Sequence, residues 1–121
     1  SHEEEGSIMK KKDKLELNNW IDSLEFITNE LELLLEIEDK VIRNDNAYKE
    51  LSTLKNDNSI ILSSLFQYKN ATNKTPECDT MECDNFFMAN HEAKRDSYIK
   101  HIQNYRSAKT KTLSMILLKA N

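Results

Sequence analysis

Residues 17–41 read LNNWIDSLEFITNELELLLEIEDKV. Within this stretch Leu17, Trp20, Leu24, Ile27, Leu31, Leu34 and Val41 follow one another at intervals of three and four, and Glu38 alone interrupts the series. That spacing is the seam of an α-helix packed at a shallow angle against other helices. Ile21, Leu35 and Ile42 widen the seam enough to serve two neighbours. The fold class follows: an all-α, up-down-up bundle of three long antiparallel helices with coiled-coil-like seams.

The rest of the chain agrees. In 121 residues there is one glycine, Gly6, and one proline, Pro76, so little material exists for the tight turns of a sheet protein. Hydrophobic residues make up 38% and charged residues 31%, a balance that thin seams and wide solvated helix faces produce. This length supports one domain. Residues 1–7 read as a tag-like or disordered tail, and 8–121 as a single bundle with helices at about 8–43, 47–71 and 76–119.

Arg43-Asn44-Asp45-Asn46 marks the first break, being rich in capping and turn residues. Beyond it Tyr48, Leu51, Leu54, Asn58, Ile61, Leu65 and Tyr68 share a face. The three-four spacing passes through Asn56-Asp57-Asn58 in phase, which predicts one continuous helix with a polar residue in its seam. Thr75-Pro76-Glu77 is a helix-start signature. On the third helix Phe87, His91, Tyr98, Ile102, Tyr105, Ala108, Thr112, Met115 and Ile116 are expected to face inward. The first helix is strongly acidic and the third basic, so the two are expected to lie side by side.

Net charge is −4, which argues against nucleic acid, and no apolar run approaches the ~20 residues needed to span a bilayer. No membrane insertion is expected. The Lys10-Lys11-Lys12-Asp13-Lys14 cluster reads as a solvated helix end. Cys78 and Cys83 lie close together, where a short crosslinked loop gains little, so both thiols are expected to be reduced and the location cytoplasmic. The sequons at Asn70 and Asn73 are attributed to the abundance of asparagine.

No glutamate precedes a histidine by three residues, so the Glu-x-x-His ligand pattern of di-iron bundles is absent. Cys78, Cys83 and His91 form a C-x4-C…H set that matches no common zinc module. No metal, cofactor or catalytic residue is expected, and the chain is read as a non-enzyme. The leading expectation is a protein–protein interaction or assembly module acting through helix faces, on an unidentified protein partner or as a homodimer. Phe26 and Leu33, off the main seam, are its interface residues. The alternative is a small-ligand or metal-binding bundle using polar seam residues, with Glu38, Asn58, His91, Tyr98 and Tyr105 lining a pocket. That reading requires Glu38, Asn58 and His91 to converge.

Overall fold

The computed structural model describes the backbone of residues 2–74, 78 and 80–120, and the side chains of 10–73, 78 and 80–119. Three helices account for nearly all of it: α1 (His2–Ile37), α2 (Asp45–Lys74) and α3 (Met81–Ala120). No strand occurs among the described residues. Glu16 meets Arg95 and Glu30 meets Lys109, so α1 and α3 run in the same direction. Asn58 on α2 meets Leu24 on α1 and His101 on α3, while Tyr68 meets His91, so α2 runs back between them. The expected up-down-up bundle is the fold. No described helix is long and apolar enough to cross a membrane.

The core is the predicted seam. Leu17, Trp20, Ile21, Leu24, Ile27, Leu31 and Leu34 of α1 are buried against Leu51, Leu54, Leu65 and Tyr68 of α2 and Tyr105 and Ala108 of α3. Burying one such leucine fully removes ~1.5–3 kcal/mol of unfavourable exposure. Helix α2 is continuous through Asn56-Asp57-Asn58 and ends three residues later than expected. Its predicted face is buried or half-buried throughout except at Tyr48.

The α1 seam does not end as its spacing predicts. Val41 is 48% exposed, and Ile42, at 4%, takes the buried position. The cause is a π-helical turn over Glu38–Ile42, which winds one extra residue into the helix and advances the inward face by one place. Arg43 then adopts the left-handed conformation, with φ 54° and ψ 49°, and its N–H reaches the Glu38 carbonyl at 2.7 Å. Asn44 caps α2: its Oδ1 accepts the Ala47 N–H at 3.0 Å. This tight entry buries the small Ala47 and leaves Tyr48 half outside, where the sequence predicts Tyr48 inside.

Other boundaries differ as well. The backbone of residues 2–7 is helical and continuous with α1. The predicted start of the third helix at Pro76, with its Thr75 cap, lies outside the described residues. Thr80 is the observed cap: its Oγ1 accepts the Cys83 N–H at 3.1 Å. The acidic and basic helices are neighbours, joined by Glu16–Arg95 and Glu30–Lys109.

Candidate functional site

The polar residues of the seams fall at three separate levels. At the α1–α2 turn, Glu38 is 2% exposed, and its Oε1 accepts the Asn44 N–H at 2.6 Å. It therefore closes the turn from within, satisfying a backbone donor that the left-handed Arg43 leaves free.

Asn58 and His101 form the second level, about 21 Å back along the axis from Glu38 by the α1 residues they face. The Asn58 amide donates from Nδ2 to the Leu24 carbonyl at 2.9 Å and to Thr28 Oγ1 at 2.8 Å. With both amide hydrogens used, Oδ1 is the acceptor, so His101 donates to it through Nε2–H at 2.8 Å. One side chain thus joins all three helices. Burial pushes the His101 pKa down, against a smaller upward pull from Asp57, and favours the neutral ring.

The third level lies a further ~12 Å along α1. His91 is 2% exposed and stacks on Trp20 with centroids 5.0 Å apart. Its Nδ1 pairs with the Tyr68 hydroxyl at 2.6 Å, and its Nε2 with Glu16 Oε1 at 2.7 Å. Asp13 Oδ1 stands 3.5 Å from the same Nε2. Arg95 grips Glu16 with a fork, Nη2 to Oε1 at 2.6 Å and Nε to Oε2 at 2.9 Å. That fork, together with His91 and against the pull of burial, holds the Glu16 carboxyl down at about 2. Burial, aided by the Asp13 and Glu16 charges, raises the Tyr68 hydroxyl to about 12 and keeps it protonated. For Asp13 the balance goes the other way. Burial and the Glu16 charge outweigh His91 and Arg95, and its pKa is raised.

Among the described residues Glu38, Asn58 and His91 share no hydrogen-bond partner, and they lie at three different levels of the bundle. Tyr98 stacks on Trp20 at 5.5 Å, below His91. Tyr105 lies deeper, beside Glu30, with its hydroxyl buried and without a well-formed hydrogen bond. Burial, and then the Glu30 carboxylate, push the Tyr105 pKa up. Burial also pushes Glu30 up, but the Lys109 ammonium and the Tyr105 hydroxyl together hold it below the usual carboxylate range.

The cysteines correct the sequence reading. Cys78 and Cys83 are joined in a disulfide, with Cα atoms 5.5 Å apart, so they are not reduced thiols. Cys78 precedes the Thr80 cap, and this non-helical position brings its sulfur to Cys83 in the first turn of α3. Both sulfurs are spent on each other, which removes them as thiolate ligands beside His91.

Asp13, Glu16 and Arg95 of the His91 cluster escape a reading of the sequence. Asp13 and Glu16 sit among lysines at what looks like a solvated helix end, and only the pairing with α3 gives them a role. His101 does carry a signal: His91, Lys94, Tyr98, His101, Tyr105, Ala108 and Thr112 follow the same three-four spacing as α1.

Phe26 and Leu33 are 64% and 55% exposed. Phe26 stands on the rim of a groove between α1 and α3 whose walls include Ile27, Tyr98, Ile102 and Tyr105. Asp22 edges the α1 side and Arg106 the α3 side. Leu33, two turns beyond Phe26, continues the α1 wall, and Leu113, 45% exposed, lies two turns beyond Arg106 on α3. Comparison with protein-family models, curated proteins and solved structures gives no match for this chain.

Proposed function

We propose that this protein is a non-enzymatic assembly module that self-associates through its α1–α3 face. The observation that carries the reading is the exposure of Phe26 and Leu33 beside an aromatic-walled groove. Two large apolar side chains so placed leave water only when another chain covers them, worth ~1.5–3 kcal/mol each before association costs. The occupant is a second copy. A two-fold contact sets the acidic α1 rim of one protomer, with Asp22, against the basic α3 rim of its partner, with Arg106.

Sedimentation equilibrium at micromolar concentration tests this. The expected mass is twice 14.2 kDa. Phe26→Asp with Leu33→Asp is expected to give a monomer of unchanged helical content, because both side chains are already mostly outside the core. A monomeric wild type refutes the dimer. A dimer indifferent to both substitutions refutes the face.

A further inference from the structure

We propose that Asp13, Glu16 and His91 form a binding site for a divalent first-row transition cation, of which Zn2+ is the chosen probe. One donor atom from each residue lies within 4.8 Å of the other two. A single imidazole nitrogen with two carboxylates suits zinc and its neighbours and not magnesium or calcium, which prefer all-oxygen shells.

Geometry beyond the three donors supports the site. A ligating imidazole needs its second nitrogen held, and Tyr68 holds Nδ1 at 2.6 Å. The hydroxyl both donates and accepts, so the ring can carry its hydrogen on Nδ1 and turn the Nε2 lone pair toward the carboxylates. A ligating carboxylate likewise needs an outer partner, and Arg95 supplies one to Glu16 along its fork. Glu16 Oε1 also faces His91 Nε2, which is where a cation would replace the hydrogen bond. Asp13 makes no hydrogen bond of its own among the described residues and is the donor left over. Its side chain and that of Glu16 are 33% and 32% exposed, so an ion enters from solvent past the carboxylates while His91 closes the floor. Two carboxylates, Asp13 and Glu16, stand here against one guanidinium, Arg95, which leaves an acidic group for a divalent ion to offset.

The site lies on the α1 half away from Leu33, so cation binding and self-association are separately testable. Isothermal titration of the full chain with zinc chloride is expected to give one ion per chain. Glu16→Gln is expected to weaken binding by ~10-fold or more, and Tyr68→Phe, which leaves the ring in place, by about tenfold through loss of orientation. Asp13→Asn weakens it as well, and cobalt(II) gives visible absorption that zinc displaces. His2→Ala is the control for chelation by the chain start and is expected to change nothing. Circular dichroism of each variant separates lost ligands from lost fold. No binding at sub-millimolar zinc overturns the proposal. So does binding unchanged in folded Glu16→Gln, or binding that disappears with His2→Ala.

Discussion

The Asn58 amide oxygen accepts the His101 Nε2–H at 2.8 Å, in a layer where neither side chain is more than 3% exposed. Because Asn58 also spends both amide hydrogens on α1, this one side chain ties the three helices together at this level, and it is expected to fix their alignment. Truncation to Asn58→Ala orphans the His101 donor and opens a void, with an expected cost of ~2 kcal/mol or more in urea unfolding. The double variant Asn58→Leu, His101→Leu is expected to recover melting temperature while its amide NMR spectrum shows more than one set of signals. A single sharp set would show that packing alone fixes the alignment.

The same histidine sets a pH dependence. Its pKa in the folded state lies below the ordinary value near 6.5, so the unfolded chain takes up the proton first as pH falls. The stability present above that pH is then lost as pH drops from ~6.5 through the folded value. Glu16 acts lower, its contribution disappearing between 4.5 and about 2. Unfolding free energies at pH ~7.5 and ~5.5 are therefore expected to differ in the wild type and to differ less in His101→Gln. Equal slopes in both proteins would remove His101 from the account.

The α1–α3 pairings predict a selective salt effect. Lys109→Glu is expected to lower the melting temperature at low salt, by the equivalent of ~1 kcal/mol, and less at high salt. Lys100→Glu, whose side chain faces solvent, is expected to change little. Equal losses from both would point to net charge and not to the Glu30–Lys109 contact.

Reduction of the disulfide loosens one short loop. For a closure of so few residues the entropic contribution is about 2 kcal/mol at most. Dithiothreitol, or Cys83→Ser, is expected to lower the melting temperature by a few degrees and to leave the helical content nearly intact. Denatured, unreduced protein is expected to show no thiol titre with Ellman's reagent; two reactive thiols per chain would refute the bridge.

Much of this fold is legible in the residues themselves. The α1 seam from Leu17 to Leu34 needs only its spacing, since those side chains have no other way to leave water. The exchange of Val41 for Ile42 is not legible, because a π turn depends on how Glu38 and Arg43 satisfy the chain reversal. The polar clusters are legible on one side only. Asn58 and His91 stand out as seam positions, but Asp13, Glu16 and Arg95 become neighbours only once α1 and α3 are set in register, seventy-five or more residues apart in sequence. The cysteine bridge is not legible for a local reason: the small entropic gain of so short a loop argues against it, whereas Cys78 lies before α3 begins and so reaches Cys83.

Only Arg43 and Asn44 separate the π turn from α2, and this shapes the order in which the chain folds. So short a connection makes the encounter of α1 with α2 cheap in loop-closure entropy. The α1–α2 hairpin is therefore expected to form in the folding transition state, with α3 docking afterwards. In stopped-flow kinetics, Leu31→Ala and Leu51→Ala should mainly slow folding, whereas Ala108→Gly and Thr112→Ser on α3 should mainly speed unfolding. Glu38, which ties this turn through the Asn44 and Arg43 N–H groups, is then expected to influence how fast the bundle is reached as well as how its first two helices join.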